Sequence, residues 1–486
     1  MLRVLLVYPA RLCAPTWGTE VWNLKPVLVN LFSYLRQEKM LNVDVLDLEV
    51  EFGNPSTKEE VDKFEERVAR ILGQKDFDII AISCYLSTNY LSARMVAEIS
   101  KKINRDSVVV VGGHHASAVP YDFLYKNTPF DFIIIGEGEE TLLKIGTEQI
   151  KRNGHPLIIK HNPLDLRKIF PLRLKEYKYA TNLPTQIVGF ELSRGCVFNC
   201  SYCPEPIFNS SWRSFSVGDS IKRIEEVIES VNPIKIGFMD AIFGFDRSWL
   251  RNLLKEIIKR KIDKVFWALP RIELLEKQDI DLIAKLNFYL DISLESGSEK
   301  ILGIMGRTKN PKQYLKKCKI IIDYINDKKI PNNLFVILNH PGENLGTFCE
   351  TLMYLESLLK DRKDVSTKII FQPFYILPGT PAYGKLEYFE KRYGTFVKHK
   401  EWWRDNRCDQ FLLATDIAAS DELKDKNPFL FWKRKFDELE DLLSNKLSKE
   451  RTGFDFALEK MIYKDNRRKS FPFNLSMYIP EFLFTR

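Results

Sequence analysis

The sequence has little excess of either charge, few cysteines and no long apolar run. Its 73 Lys and Arg against 65 Asp and Glu leave a formal net charge of +8 over 486 residues. That is too mild to mark a nucleic-acid binder, because basic helix faces are ordinarily solvated surface. Eight cysteines are too few to hold a chain of this size by disulfides, and cytosolic thiols stay reduced. No apolar stretch approaches the ~18–20 residues that a membrane helix needs. Met1–Tyr8 faintly resembles a signal peptide, but Pro9 and Arg11 follow at once and no small-residue cleavage pattern ends it. It reads as a first strand, and the chain as cytoplasmic. Internal repeats and low-complexity tracts are also lacking. With 45% hydrophobic and 28% charged residues the composition is globular, and the length suits two to four domains.

What is present is an alternation of strand and helix signals. Short β-branched runs at Arg3–Tyr8, Val43–Leu48, Asp78–Ser83, Ser107–Val111 and Asp131–Ile135 are almost continuously apolar, as strands buried on both faces of a parallel sheet are. The clearest intervening helix starts at Ser56, with Glu59 three residues on as a capping box, and carries Val61, Phe64, Val68, Ile71 and Leu72 on one face. Residues 1–150 therefore read as a doubly wound α/β domain, with ligands beyond the carboxyl ends of the strands. Residues 151–185, with Gly154, Pro156, Pro163 and Pro171, read as a linker. A second series follows at Ile187–Leu192, Lys235–Met239, Val265–Ala268, Tyr289–Leu294, Leu334–Leu338 and Lys368–Tyr375. Six β/α units over residues 186–385 predict a partial barrel, with catalytic groups at the carboxyl ends of its strands. Residues 386–486 read as a mainly helical region with Trp402, Trp403 and Trp432, an amphipathic helix over Phe429–Leu447 and an aromatic segment Phe471–Phe484. This region either caps the barrel mouth or closes the barrel as ordinary core.

Cys196, Cys200 and Cys203 form a Cys-x-x-x-Cys-x-x-Cys motif just after the first barrel strand. Three thiolates so close can hold three corners of a cubane iron–sulfur cluster and leave the fourth iron open. The alternative is a zinc site with a distant fourth ligand. Structural zinc motifs pair two short Cys/His hooks, and no second hook is present.

With this spacing the sequence resembles the radical S-adenosylmethionine (SAM) superfamily. Glu191-Leu192-Ser193-Arg194-Gly195-Cys196 looks like its lead-in to the cluster, and Phe238–Phe243 like its second-strand ending. Asp291–Ser298 looks like the fourth-strand segment, and Pro341-Gly342-Glu343 and Pro378–Pro381 like later strand-end turns. Asn339 stands where relatives often carry glycine. The resemblance implies a [4Fe-4S] cluster on the three cysteines, with Tyr202 against the adenine and Glu295 at the ribose of SAM. Ser296, Asp240, Arg194 and Arg271 are further candidates for cofactor contact. Taken alone, Glu295 also reads as a solvated rim carboxylate, and the two arginines as surface residues.

Gly112-Gly113-His114-His115 follows the fourth strand of the first domain, and Gly136-Glu137-Gly138 follows the fifth. Glycines at strand ends let backbone approach a bulky ligand, although tight turns need them as well. Ahead of such a barrel they resemble the flavodoxin-like domain of cobalamin-dependent radical SAM enzymes, and imply that Gly112, Gly113, Gly136, Glu137 and Gly138 approach cobalamin. The Asp-x-His-x-x-Gly motif of many cobalamin proteins is absent, which implies histidine-off binding. His114 and His115 read as turn histidines bonded to backbone. Methylthio-transferring relatives need three further amino-terminal cysteines, and only Cys13 and Cys84 precede Cys196.

The resemblance implies a methyltransferase acting on an unactivated carbon or phosphorus centre of a small molecule or peptide. It would use SAM, cobalamin and an external one-electron donor of flavodoxin or ferredoxin type. A cobalamin-linked rearrangement or cyclisation, and a non-catalytic metal- and corrinoid-binding protein, remain as other readings.

Overall fold

The computed structural model describes residues 1–12, 24–160, 162–169, 171–182, 187–359, 366–406 and 410–423. The expected helix over Phe429–Leu447, Trp432, the segment Phe471–Phe484 and Cys13 lie outside these residues. Among the described residues no helix is long and apolar enough to cross a membrane.

The first sheet consists of β1 (Leu2–Tyr8), β2 (Leu41–Asp47), β3 (Ile79–Ser83), β4 (Val108–Gly112), β5 (Phe132–Ile135) and β6 (Leu157–Lys160), in spatial order β2-β1-β3-β4-β5-β6. Every pairing is parallel. Strand β6 lies inside the segment expected to be a linker. Its alternating half-buried and exposed residues are those of a sheet edge and lack the apolar run that marks the central strands. The helix Lys58–Leu72 starts one residue later than expected. Thr57 is its N-cap, with the Glu60 amide 3.2 Å from the Thr57 hydroxyl, and the Glu60 side chain also accepts from Ser56. Phe64, Val68 and Leu72 form its buried face.

The second sheet holds β7 (Ile187–Phe190), β8 (Lys235–Phe243), β9 (Val265–Pro270), β10 (Phe288–Glu295), β11 (Asn332–Leu338) and β12 (Thr367–Pro373), side by side in chain order. Again all pairings are parallel, the arrangement of a six-stranded partial barrel.

Burial explains why β1 is apolar at every position from Val4 to Tyr8. Val4, Leu6 and Tyr8 belong to a core that continues into the barrel through Val188, Phe190 and Ile224. Leu5 and Val7 belong to a second core that reaches Phe374, Trp402 and Trp403. The carboxyl-terminal segment is thus strapped across the first domain. Trp403 donates from Nε1 to Asp122 (2.6 Å), and Arg404 donates to the other oxygen of the same carboxylate (2.6 Å). This segment carries the short helices Leu386–Tyr393 and Gln410–Thr415 and a two-residue antiparallel pairing of Phe396–Val397 with Ile417–Ala418.

Candidate active site between the two sheets

A cleft of about 1150 Å³, its open mouth included, lies beyond the carboxyl ends of β1, β3, β4 and β5. Gly112, Gly113, Gly136 and Gly138 rim it. Gly113 has φ +102°, and a Cβ there would lie 2.7 Å from the carbonyl oxygen of Cys84, so only glycine fits. At Gly112 and Gly138 the nearest atoms to an added Cβ belong to Ile134, at 3.7 and 3.9 Å. Side chains there would occupy the cleft itself.

Glu137 lines this cleft, but its carboxylate is already engaged. It accepts from Asn209, Arg213 and the amide of Leu164 (2.7 Å), and Arg194 lies 3.6 Å away. Arg194 also pairs with Glu139 (2.8 Å) and Glu191 (2.6 Å). Arg194 and Glu137, both expected to contact cofactors, therefore act first as a pin between the first domain and the barrel. Burial raises the Glu139 carboxyl above its ordinary range, against the pull of Arg194. Three carboxylates around Arg194 hold its guanidinium charged despite burial.

At the barrel mouth Cys196 and Cys200 are buried and Cys203 half-buried. Several elements hold the loop. The Cys196 amide donates to the Asn209 carbonyl (3.0 Å), the Ser201 amide to Met305 (2.7 Å) and the Ala382 amide to Ser201 (2.8 Å). The Ser201 hydroxyl lies 2.8 Å from His340 Nε2. Gly195 has φ +85°, and a Cβ would fall 2.1 Å from the carbonyl oxygen of Ser211, which explains the glycine before the motif. Burial pushes the Cys196 thiol up to about 11 and Cys203 higher still. Metal binding must therefore displace the protons. Arg271 donates from Nη1 to Cys200 Sγ (3.4 Å) while its guanidinium lies 3.6 Å over the Phe198 ring.

A second cavity, about 1270 Å³ with its mouth, opens beside this loop. Tyr202, Cys203 and Glu295 face it, as do Phe335, Phe374 and Trp402. The Tyr202 hydroxyl donates to Glu295 (2.8 Å), and Arg307 lies 3.9 Å from the same carboxylate. Glu295 adopts φ +73°, at the register break between β10 and β11. A non-glycine residue in this region signals a backbone over-determined by its surroundings.

Two expected contacts lie elsewhere. Ser296 is wholly buried and hydrogen-bonds to Thr351 (3.0 Å) and to the amide of Ser298 (3.1 Å), because the turn at Glu295 carries the next side chain away from the cavity. Asp240 is also wholly buried. It accepts from the Ser193 hydroxyl and the Leu192 amide, while its strand neighbours Met239 and Ala241 face the cleft. Burial pushes its carboxyl up to about 7.

Asn339 resolves as a conformational match. Its φ is +64°, a conformation that asparagine tolerates better than most side chains. Its amide donates to the Ile417 carbonyl (2.6 Å) and its oxygen accepts from the Ala419 amide (3.3 Å), tying the barrel to the carboxyl-terminal strap.

The two cavities share Tyr85, His114 and Glu205. The His114 ring stacks on Phe208 (4.3 Å), meets Tyr85 edge-on (4.5 Å) and sets Nε2 3.3 Å from Glu205. His115 Nδ1 lies 2.9 Å from the Ser87 hydroxyl. Both turn histidines are thus engaged by side chains, where backbone partners were expected. Tyr85, Glu205, Glu139, Arg307, Thr88 and Gln372 were missed as site residues. Only Glu139 stands beside a motif, directly after the Gly136–Gly138 turn, and it is the fold that brings the others to the site.

The residues present fit the implied groups. Gly112 and Gly138 leave open the space that a corrinoid would need beside backbone. The buried Ser83 hydroxyl on the cleft wall lacks a partner. Three thiols on one loop beside Arg271 suit a cluster. Among the described residues no three of His, Cys, Asp and Glu are gathered closely enough for a single metal ion.

Comparison with known proteins agrees with this division. The B12 binding domain family matches residues 28–145 and the Radical SAM superfamily residues 190–355, together more than half of the chain. An uncharacterized methyltransferase of Pyrococcus horikoshii is 26% identical over 274 residues, covering 52% of this chain and 59% of that protein. The ribosomal protein uS12 methylthiotransferase RimO of Thermosipho melanesiensis is 30% identical over 188 residues, 36% of this chain and 43% of its own. The chain thus spans about half the length of the curated relatives it matches. The radical SAM methyltransferase TsrM of Kitasatospora setae, solved with cobalamin and a [4Fe-4S] cluster, superposes with a TM-score of 0.63 at 16% identity, over 91% of this chain and 89% of that one. This likeness is one of fold. With both domains present in this order, and with the three-cysteine loop at the barrel mouth, the chain belongs to the radical SAM proteins that carry a B12-binding domain.

Proposed function

We propose that the protein is a cobalamin-dependent radical SAM methyltransferase whose acceptor is an unactivated carbon or phosphorus centre of a small molecule or peptide. The observation that carries this reading is the shared wall of Tyr85, His114 and Glu205 between a glycine-rimmed cleft and a cavity faced by Cys203, Tyr202 and Glu295. When bound, the cluster supplies the electron that cleaves SAM, and the corrinoid carries the methyl group. Cys196, Cys200 and Cys203 hold the cluster as thiolates. Arg271, donating to Cys200, offsets part of their charge. Tyr202 fixes the Glu295 carboxylate toward SAM. The aromatic walls at Phe335, Phe374 and Trp402 exclude water from the reacting centre. Arg194, with its three carboxylates, keeps cleft and barrel in register. A flavodoxin- or ferredoxin-type protein delivers the electron, in the cytoplasm.

Anaerobic reconstitution followed by iron, sulfide and cobalt analysis tests the assembly, and SAM labelled in its methyl carbon tests the reaction. Iron, sulfide and cobalt bound together, with label in a product other than SAM-derived thioether, are expected. Zinc without iron, or cobalt retained with no label transferred under reducing conditions with any acceptor tried, would sink the methyltransferase reading.

A further inference from the structure

Among the described residues, four buried polar side-chain atoms on the barrel-mouth cavity lack a hydrogen-bond partner: Thr88 Oγ1, Gln372 Nε2, His114 Nδ1 and His115 Nε2. The two histidines are each engaged at the other ring nitrogen, by Glu205 and Ser87, which leaves Thr88 and Gln372 as the side chains to account for. Gln372 stands at the carboxyl end of β12, in register with Ile337. Its side chain is nine-tenths buried, and its Nε2 has no partner. Thr88, in the turn after β3, is 3% exposed, and its hydroxyl likewise has none. Both residues line the same cavity, one from each domain. Between them the walls are apolar, with Phe335, Ile337, Phe374 and Leu377. Buried polar groups are almost always paired, so Thr88 and Gln372, left without partners among the described residues, point to a ligand that supplies them. The charge of the chamber limits what that ligand can be. Glu205 and Glu295 face it together with His114 and His115, and among the described residues no lysine or arginine does. An anion would meet two carboxylates with no lysine or arginine to offset them, and burial lowers the proton affinity of His115.

We infer that Gln372 and Thr88 are the recognition point for an uncharged, largely apolar substrate that presents a carbonyl or amide group. The amide N–H of Gln372 donates to the substrate oxygen, and the Thr88 hydroxyl completes the contact from the first domain. Placing the substrate here rests on the function proposed above. It also narrows that function to carbon, because phosphorus oxyacids are anionic near neutral pH.

The test uses the full chain, reconstituted anaerobically, and three fluorescent probes of one shape: 2-naphthamide, 2-naphthoate and naphthalene. Naphthamide is expected to bind at least about threefold more tightly than naphthoate. In Gln372→Leu its advantage over naphthalene falls by about threefold to tenfold, the range of one neutral hydrogen bond. Thr88→Val gives a smaller loss in the same direction. Retained naphthalene binding shows that the variants keep the chamber, and SAM affinity stays within about twofold of the parent's. Naphthoate binding as tightly as naphthamide overturns the inference. So does a loss of SAM affinity in Gln372→Leu that matches the loss for naphthamide, since the amide would then serve SAM. Selective naphthamide binding by a chain that retains no cobalt defeats the proposed function alone. Methyl transfer by a chain indifferent to the probe's charge defeats this inference alone.

Discussion

Along the carboxyl edge of the first sheet, Gly112, Gly113, Gly136 and Gly138 bring backbone to the cleft. Along the same edge of the barrel the cavity is faced by Tyr202, Cys203 and Glu295, with Gln372 among them. Both sheets are parallel and both place ligand space beyond their carboxyl ends, as open α/β sheets do. They differ in what recognises the ligand. A glycine rim works through removed volume and leaves little chemical signature, whereas the barrel works through placed functional groups. The first region should therefore fail by occlusion or by separation from its neighbour, and the second by loss of a named atom.

The largest expected effect lies on the barrel side. Cys200→Ala removes one of three thiolates and should abolish iron and sulfide retention after reconstitution, while cobalt binding to the first domain persists. Simultaneous loss of both would break the separation of the two regions. Next comes their shared pin. Arg194→Met leaves Glu137, Glu139 and Glu191 without their common cation and should cost about 3–5 kcal/mol in denaturant unfolding. A cost under 1 kcal/mol would mean that the two domains do not depend on this contact.

Glu295→Gln should weaken SAM binding about tenfold to a hundredfold by equilibrium dialysis, the loss of a charge-assisted hydrogen bond, with iron content unchanged. Gly113→Ala should lower stability by about 1–3 kcal/mol and reduce cobalt retention without touching SAM binding, since its Cβ meets the Cys84 carbonyl at positive φ. If cobalt retention is unaffected, the glycine rim is a folding device only.

The smallest effect concerns pH. Burial raises the Glu343 carboxyl from about 4.5 to about 8 and lowers His340 from about 6.5 to about 4. Glu343 holds a proton in the folded state that the unfolded chain releases, so its contribution is full below about pH 4.5 and declines as pH rises to about 8. His340 acts in the opposite sense, adding stability between about pH 4 and 6.5, so the two offset each other in the acid range. Of this pair only Glu343 remains between pH 6.5 and 8, with a slope of at most about 1.4 kcal/mol per pH unit, joined by Asp240 up to about pH 7. Melting curves of Glu343→Gln should lose the slope between about pH 7 and 8, and an unchanged slope there would assign it elsewhere.

Much of this arrangement is legible in the sequence, for reasons that differ by element. Central parallel strands are buried on both faces and read as apolar runs, so eleven of the twelve were visible without coordinates. The exception, Leu157–Lys160, is an edge strand whose half-exposed alternation, between Pro156 and Pro163, looks like linker. The cysteine motif is visible because its ligands are close in sequence. Ser296 and Asp240 stand in the right segments but point away from the cavities, since neighbours on a strand or after a sharp turn face opposite ways. Thr88 with Gln372, and Arg194 with Glu139, could not be paired by inspection, because each couple is assembled from opposite domains. The sequence leaves Trp403 open between cap and core. In the structure Trp403 fills the core while its neighbour Trp402 faces the cavity.

The strap also sets an order of events during synthesis. Asp122 emerges from the ribosome 281 residues before Trp403 and 282 before Arg404. For the whole time the barrel is being translated, the first sheet exists without the contact that fastens the carboxyl-terminal segment across it. Loading of the cleft and fastening of the strap are therefore separable steps in the life of a nascent chain, and the second cannot precede completion of the barrel.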